Sequence, residues 1–486
     1  MKLNRWILGL VALSMLGTGC RKQAPDEYSQ LDDETKAERK YVNTFAWNIM
    51  NTYYLWREEI SEAMDSWRLW EEPIQKIADI RYKDASGKDI DRWTMVTDNM
   101  ASFEGSVSGH TRTLGMDFQL YYTDKTHTQI CAVVTFTYAG SPAASAGIGR
   151  GDVILTVDGL TMMSDNYLDI VRNRLLGGGR TTLGLSDGKT VTLTATDMYE
   201  NPVQTVRVLE RPDGRKVGYL HYTSFTLDSC AELVDVFRNF KTEGIDDLVL
   251  DLRYNSGGYV ITELVLASMV APVAVVEGDN VFYREVFNAK LTQEVKDDQV
   301  KFTTEIPVDK AGTIVSTAGA NPDLPRLYVL VTDSSASASE SLICCLRPYM
   351  DVTLIGQQTS GKYCAGYMFD AESWYDAVKK SLEEGEYEKA LPYVENWGMY
   401  VMYSRYADCN GVTLSMPDGI APDVEAKDDP TDGFALGDPQ ETMLAVALRL
   451  IEGRTRSAAE APSGPGLAPV PDGFHPRTTG VLIGSF

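Results

Sequence analysis

Residues 327–346, LYVLVTDSSASASESLICCL, decide the fold class of this chain. The run Leu327–Asp333 is short and apolar, Ser334–Glu340 is rich in serine and alanine, and helix-forming residues follow through Leu346. A short apolar run bounded by such a turn is typical of a buried strand, so the stretch predicts a strand, a tight turn and a helix. A serine/alanine repeat is by itself more often an ordinary turn than a catalytic site. The surrounding sequence has to decide between these two interpretations.

Two further runs of the same kind flank this stretch. Asp246–Arg253 (DDLVLDLR) precedes the loop YNSGGY and an apolar helix, and Val352–Gly356 (VTLIG) precedes the loop Gln357–Gly366. Strands and helices alternate over residues 215–425, which predicts an α/β domain. Because sites in open α/β sheets form at the carboxyl ends of strands, we expect the three loops to converge.

The residue types in these loops suit acyl transfer. A serine at a helix N-terminus lies near the positive end of the helix dipole, which favours a developing oxyanion. A lysine such as Lys362 can accept the serine proton if its amine is neutral. Burial can lower a lysine pKa from about 10.4 to about 7–8, at a cost on the order of 3.5–5 kcal/mol. The expected apolar pocket is formed by Leu354, Ile355, Tyr363 and Tyr367.

Residues 113–210 have the short strands and glycine turns of a small β-rich domain. The stretch Ala139–Gly159, AGSPAASAGIGRGDVILTVDG, resembles part of a PDZ domain. In that family, backbone N–H groups hold the terminal carboxylate of a ligand, which adds as a strand beside the domain. The helix Asp165–Leu176 would form the other wall of the groove. The resemblance assigns peptide binding to Leu114, Gly115, Met116 and Phe118.

The three loops, in this order and after a PDZ domain, resemble the C-terminal processing (tail-specific) family of serine peptidases. The resemblance covers about residues 113–430, and GIAPDV at Gly419–Val424 resembles the family's closing strand. It implies a peptidase core of the ClpP/crotonase-like type that needs no metal or other cofactor. It also implies that Ser337 is the nucleophile and Lys362 the general base. The implied oxyanion donors are the N–H of Ala338 and that of Gly257 or Gly258.

One position departs from the family pattern. Many relatives have a glutamine four positions after the lysine, where it orients the amine, and this chain has Gly366 there. Either Glu340, Gln357 or Gln358 supplies the contact instead, or the reaction does without one. The sequence leaves these alternatives open.

Rival mechanisms and functions find less support in the sequence. A Ser-His-Asp triad would need a histidine in the α/β domain, where only His221 lies, and no G-x-S-x-G elbow is present. A catalytically silent PDZ peptide-binding adaptor lipoprotein is the main alternative, but the presence of both Ser337 and Lys362 favours an enzyme. Acyl chemistry on a small thioester is a more distant alternative, since the sequence has no nucleotide-binding motif for such a ligand.

Composition excludes several classes of protein. The formal charge of −24 and the pI near 4.6 argue against nucleic-acid binding. The cysteines after Cys20 are scattered through a long chain, which is not a disulfide framework. Neither C-x-x-C nor H-E-x-x-H occurs, so a zinc site is not expected.

The N-terminus resembles a lipoprotein signal peptide. Lys2 and Arg5 precede the apolar run Trp6–Leu16, and GTGC ends at Cys20. The resemblance to a lipobox implies lipidation of Cys20 and a location in the bacterial cell envelope, at the outer membrane facing the periplasm. The lipid anchor at Cys20 is then the only expected attachment to a membrane.

These observations predict an α/β multidomain enzyme. The expected function is a serine endopeptidase that captures protein or peptide substrates by their C-termini through the PDZ domain and cleaves near those ends; the oligomeric state is left open. The tail ends in VLIGSF, and one hypothesis places this end in the PDZ groove of the same chain. The expected divisions are a lipoprotein signal peptide (1–20), a tether (21–40), an N-terminal helical domain (41–112), a PDZ domain with two helices (113–210), a serine peptidase core with a closing helix (211–453) and a flexible C-terminal tail (454–486).

Overall fold

The computed structural model describes residues 26–309, 311–414, 416–453, 467–470 and 482–483. The predicted signal peptide with Cys20, the first residues of the predicted tether and most of the predicted tail lie outside the described residues. No helix within the described ranges is both long and apolar enough to cross a membrane.

The N-terminal part is helical, as its apolar spacing predicts. The side chain of Asp32 caps the longest helix by accepting a hydrogen bond from the Thr35 N–H at 2.7 Å. The buried face includes Val42, Phe45 and Ile49. The elements are α1 (Asp26–Ser29), α2 (Asp33–Tyr53), α3 (Ser61–Ser66), α4 (Pro73–Ile80), β1 (Met95–Thr97) and α5 (Met100–Ser108).

Residues 110–199 form a β-rich unit with its own hydrophobic core. The helix expected over Asp165–Leu176 is a short α-helix that continues as a π-helical turn, Val171–Leu175. The elements are β2 (His110–Thr113), β3 (Met116–Tyr122), β4 (Gln129–Thr137), α6 (Pro142–Ser145), β5 (Val153–Val157), β6 (Leu160–Met163), α7 (Tyr167–Ile170), β7 (Arg180–Leu185), β8 (Thr190–Thr194) and β9 (Thr196–Tyr199). The main sheet is antiparallel with the order β3-β4-β6-β5-β7-β8, and β2 pairs with β9.

The next part of the chain alternates strands and helices, as predicted. Its elements are β10 (Val203–Glu210), β11 (Lys216–Tyr222), α8 (Cys230–Glu243), β12 (Asp247–Asp251), β13 (Gly258–Tyr259), α9 (Val260–Val270), α10 (Val273–Val276), β14 (Val281–Phe287), α11 (Ala289–Glu294), β15 (Gln299–Lys301), β16 (Glu305–Pro307), β17 (Ile314–Ser316), β18 (Arg326–Val331), α12 (Ala338–Leu346), β19 (Asp351–Gly356), β20 (Cys364–Asp370), α13 (Ala371–Val378), α14 (Glu386–Val394), β21 (Gly398–Ala407), β22 (Val424–Glu425) and α15 (Thr442–Ile451). Two short strands follow in the tail, β23 (Ala468–Pro469) and β24 (Leu482–Ile483).

A mostly parallel sheet carries this part. Its order is β10-β11-β12-β18-β19-β22. Within the described part of this sheet, β10 and β11 are antiparallel and the other neighbouring strands are parallel. Because side chains alternate along a strand, the two faces of the sheet bury different helices. On β12, Leu248 and Leu250 belong to the core that includes α8, α9 and α12, whereas Val249 packs with α15. The prediction of a mixed α/β multidomain fold is confirmed.

A second sheet lies beside the first, with the order β13-β24-β20-β21-β14-β15 and β1 paired with β21. The N-terminal helices pack against this part of the molecule, as the rings of Phe45 and Trp374 show with centroids 5.8 Å apart. The hydrophobic core of residues 41–112 is therefore continuous with that of the α/β part. The segment expected as a separate helical domain shares its core with its neighbour.

The tail strands lie in two different places. Ala468–Pro469 pairs antiparallel with Tyr121 and Tyr122 of β3. Leu482–Ile483 pairs in parallel with both β13 and β20 in the second sheet. Leu482–Ile483 therefore lie in the second sheet and not in the predicted PDZ groove, where one hypothesis places the end of the chain. The last three residues lie outside the described part.

Candidate active site

The three predicted loops meet at one edge of the parallel sheet. They follow β12, β18 and β19, which are neighbours in that sheet. The N–H of Ala336 donates to the carbonyl of Asn255 at 3.1 Å, and the N–H of Ser360 donates to the carbonyl of Ser335 at 3.0 Å. The predicted convergence is therefore present in the structure.

Ser337 stands at the N-terminus of α12 in a strained conformation. Its φ of 62° and ψ of −115° are rare for a residue with a side chain and cost about 1–3 kcal/mol. The residue is fully buried, and its Oγ has no hydrogen-bond partner among the described residues. Buried polar atoms are normally paired, so the strain and the unpaired hydroxyl together make Ser337 a candidate functional residue.

Each of the two glycines of this loop, Gly257 and Gly258, lies closer to its neighbour than a residue with a side chain could. Gly257 has a φ of 109°, and a Cβ added there would lie 2.7 Å from the Cβ of Ser337. Gly258 has a φ of 145°, and a Cβ added there would lie 2.4 Å from the carbonyl oxygen of Phe225. Both positions therefore require glycine for backbone conformation and for space.

The hydrogen bonds of this loop separate the two candidate oxyanion donors. The N–H of Gly257 donates to Oδ1 of Asn255 at 2.8 Å, and Nδ2 of Asn255 donates to the carbonyl of Tyr222 at 3.0 Å. The N–H of Gly257 is thus engaged within its own loop, whereas Gly258 pairs with Leu482 of β24. Ala338 is the first residue of α12, where backbone N–H groups have no partner within the helix.

Glu340 joins the nucleophile loop to the lysine loop. Its carboxylate accepts the backbone N–H groups of Ser337 at 3.1 Å, Gly361 at 2.8 Å and Lys362 at 2.8 Å. It also accepts the hydroxyl of Thr359 at 2.5 Å. Burial raises the pKa of Glu340, while these hydrogen bonds oppose the shift. Glu340 thus holds the backbone of Lys362, whereas the family's glutamine is expected to contact the amine.

Lys362 is fully buried among aromatic side chains. Its Nζ donates to the hydroxyl of Tyr400 at 3.3 Å and lies 5.3 Å from the ring centroids of both Trp93 and Tyr400. Burial lowers the pKa of Lys362 to about 8. A large share of the amine is then neutral under mildly alkaline conditions and can accept a proton.

Sequence reasoning missed the two rings around this amine. Trp93 precedes β1 and Tyr400 belongs to β21, both far from Lys362 in sequence, and neither lies in a motif that indicates a catalytic role. The side chains of Gln357 and Gln358, two of the suggested orienting residues, are exposed. Of the expected pocket residues, Ile355 instead packs with α15 on the opposite face of the sheet.

His221 lies in the interior without a catalytic partner. Its ring stacks edge-on with Phe136 and Tyr254, with centroids 5.4 Å and 5.8 Å away. Neither ring nitrogen has a hydrogen-bond partner within the described ranges. Burial lowers the pKa of His221 to about 4, so the ring is neutral at pH 7. This environment does not support His221 as the base of a Ser-His-Asp triad.

A cavity of about 200 Å³ lies between the β-rich unit and the loop that contains Gly257 and Gly258, here called the glycine loop. Leu114 and Met116 line one side, and Gly257 and Gly258 line the other. Phe118 packs in the core of the β-rich unit and is 1% exposed.

Gly115, between the two lining residues, has a φ of 74°, and an added Cβ would lie 2.1 Å from the Cβ of Ser141. Two of the four residues assigned to peptide binding, Leu114 and Met116, thus share one cavity with the glycine loop of the candidate active site.

Comparisons with known proteins identify a peptidase domain in this chain. Residues 216–426 match the model of peptidase family S41. The chain is 27% identical over 338 residues to a carboxyl-terminal-processing protease of Synechocystis sp., covering 68% of this chain and 67% of the relative. It is also 27% identical over 311 residues to the chloroplastic C-terminal processing peptidase of Tetradesmus obliquus, covering 60% of this chain and 56% of the relative.

A solved structure has the same fold. The crystal structure of a putative S41 protease from Bacteroides fragilis superposes with a TM-score of 0.62 at 23% identity, covering 84% of this chain and 97% of that one. The chain spans between about half and two-thirds of the length of the curated relatives it matches. Residues 216–426 therefore form a domain of peptidase family S41, and the curated relatives of the chain are carboxyl-terminal-processing serine proteases.

Proposed function

We propose that this protein is a serine endopeptidase that cleaves peptide bonds near protein C-termini, with Ser337 as nucleophile and Lys362 as general base. The observation that carries the proposal is that Glu340 joins the loop of a strained serine, whose hydroxyl has no partner among the described residues, to the loop of a buried lysine whose pKa is lowered to about 8. The backbone contacts of Glu340 hold the two loops together.

The proposed reaction proceeds by acyl transfer. Neutral Lys362 accepts the hydroxyl proton of Ser337 as Oγ attacks the scissile carbonyl carbon. The resulting oxyanion accepts hydrogen bonds from the N–H groups of Ala338 and Gly258. The ammonium of Lys362 then returns the proton to the leaving amine, and water hydrolyses the acyl-enzyme with the same lysine as base. Nζ of Lys362 and the hydroxyl of Ser337 have to come within hydrogen-bond distance for the first step, and catalytic hydrogen bonds commonly tighten only when substrate is bound.

We propose that residues 113–210 act as a PDZ domain that holds the substrate's C-terminus. The support is the cavity that Leu114 and Met116 share with Gly257 and Gly258. A terminus bound on one side of this cavity would place the preceding residues near the glycine loop. Residues 211–453 would then be a peptidase core of the ClpP/crotonase-like type, and the partners would be proteins or peptides with accessible C-termini.

The proposed location is the bacterial cell envelope, with a lipid anchor on Cys20 at the outer membrane facing the periplasm. The support is the sequence of residues 1–20, which resembles a lipoprotein signal peptide. Labelling with a fatty-acid analogue, compared between wild type and Cys20→Ser, tests this part. Equal labelling of the two proteins would refute it.

The proposed chemistry is tested by comparing wild type with Ser337→Ala and Lys362→Ala on an unfolded protein substrate. Both variants are expected to fold and to lose cleavage. Undiminished cleavage by Lys362→Ala contradicts the dyad. A folded wild type that binds peptides without cleaving them favours the adaptor alternative.

A further inference from the structure

The side chain of Tyr400 occupies the space of the missing side chain at position 366. Gly366 on β20 faces β21, and a β-bulge separates its register from that of Ala365. A Cβ added to Gly366 would lie 2.1 Å from Cζ of Tyr400 and 2.4 Å from its hydroxyl oxygen. No residue larger than glycine fits at position 366 while the phenol of Tyr400 stays in place.

The phenol is held firmly where it meets the lysine amine. Tyr400 is 1% exposed, pairs with Met368 on β20 and with Met95 on β1, and lies 5.4 Å from the ring of Phe103. Its hydroxyl accepts a hydrogen bond from Nζ of Lys362 at 3.3 Å. The contact that orients the amine thus comes from a neighbouring strand instead of from the lysine loop.

We propose that Tyr400 is the positioning residue of the general base, and that Gly366 is small because it makes room for it. This inference rests on the proposed function. A phenol hydroxyl both donates and accepts hydrogen bonds and stays neutral up to about pH 10, so it can contact Nζ in either protonation state. By fixing one direction around Nζ, it leaves another for the hydroxyl of Ser337.

The first test is Tyr400→Phe, which keeps the ring and removes the hydroxyl. We expect kcat to fall about ten- to hundredfold, since hydrogen bonds to charged groups are strong, with KM changed less than about twofold. In wild type, this hydrogen bond stabilises the ammonium form of Lys362. Its removal should therefore lower the pKa of Lys362. Activity that requires the neutral amine should then rise at a lower pH than in wild type. A structural role alone would lower stability without moving the pH profile.

Tyr406→Phe is the matched control. Tyr406 lies on the same strand and is fully buried, and its hydroxyl has no hydrogen-bond partner in the described part of the chain. Its removal is expected to leave both kcat and the pH profile unchanged.

The second test exchanges the two positions. Gly366→Gln alone is expected to lower both stability and activity, because its Cβ meets the ring of Tyr400. Tyr400→Ala alone removes the contact to Lys362. The double variant Tyr400→Ala/Gly366→Gln has space for an amide near Nζ and is expected to recover at least tenfold in kcat over Tyr400→Ala.

The outcomes separate this inference from the proposed function. An inert wild type overturns the function and the inference together. An active wild type and an inert Lys362→Ala, with wild-type kcat and pH profile in Tyr400→Phe, overturn the inference alone. Equal kcat in Tyr400→Ala and the double variant also contradicts it.

Discussion

Arg150 of the β-rich unit and Asp428 of the α/β part form a buried ion pair, with Nη2 2.9 Å from Oδ1. Asp428 also contacts Nη1 of Arg253 at 2.8 Å, and Arg253 pairs with Asp251 and Glu441. Arg253 begins the loop that leads to the glycine pair. The network therefore connects the β-rich unit to the backbone of the candidate oxyanion site.

Asp428→Ala is expected to destabilise the protein by about 3–5 kcal/mol, because it leaves Arg150 and Arg253 buried without one of their partners. Chemical denaturation of wild type and variant measures the change in the free energy of unfolding. Asp235→Ala, at an exposed ion pair with Arg238, is the control and should cost less than about 1 kcal/mol. A loss below 1 kcal/mol in Asp428→Ala would contradict the assignment.

The carboxylate of Asp428 is also expected to make the stability of the protein depend on pH. Burial alone would raise the pKa of Asp428, but Arg150 and Arg253 lower it to about 2. Since this folded-state pKa lies below the value of about 3.9 expected for an unfolded chain, the stabilisation is complete above about pH 5 and is lost as the pH falls toward 2. Asp428→Asn should weaken that acid dependence.

Cleavage should increase with pH through the titration of Lys362. Its pKa is lowered from the usual 10.5 to about 8, chiefly by burial, and only the neutral amine accepts the proton of Ser337. We expect kcat/KM on an unstructured peptide to be half-maximal near pH 8. Lys362→Arg, which stays charged, should be inactive throughout. A flat profile between pH 6 and 9 would count against Lys362 as the base.

The sequence was sufficient for the parts of the site that follow local rules. The strand-loop-helix pattern around Ser337 and the glycine pair could be predicted because turns and helix starts have short-range signatures. The surroundings of the lysine amine could not, since Trp93 and Tyr400 reach Lys362 only through the pairing of β1, β20 and β21. The sequence contains one indirect indication of Tyr400, namely that position 366 is a glycine and so leaves space for another side chain.

The sequence also did not predict that the N-terminal helices share one hydrophobic core with the α/β part. The apolar face of α2, with Phe45 and Ile49, was visible from its spacing, but a pattern of burial does not say which surface covers it. The covering surface includes Trp374 on α13, which lies far from α2 in the sequence.

Gly257→Ala is expected to abolish cleavage while the protein stays folded. The added Cβ would lie 2.7 Å from the Cβ of Ser337, so either the nucleophile or the loop has to move. Gly188→Ala is the matched control, because Gly188 also has a positive φ of 86° but an added Cβ there meets nothing within 4 Å. It should cost about 1 kcal/mol of stability and no activity. Measurable cleavage by Gly257→Ala, at more than about a tenth of the wild-type rate, would show that the glycine loop does not shape the site.

The strand β24 lies between β13 and β20, beside residues of the candidate active site. Leu482 pairs with Gly258 next to the candidate oxyanion site, and Ile483 pairs with Gly366 four residues after Lys362. If substrate adds as a strand beside Gly258, this segment competes with it, and removal of residues 471–486 is then expected to lower KM several-fold and to leave kcat nearly unchanged. The point variant Ile483→Pro, which cannot donate a backbone hydrogen bond, should shift KM in the same direction.

A synthetic peptide of residues 478–486 should inhibit the truncated protein competitively, and a scrambled peptide of the same composition is the control. An unchanged KM in both variants, with no inhibition by the peptide, would show that this segment does not occupy the cleft in solution.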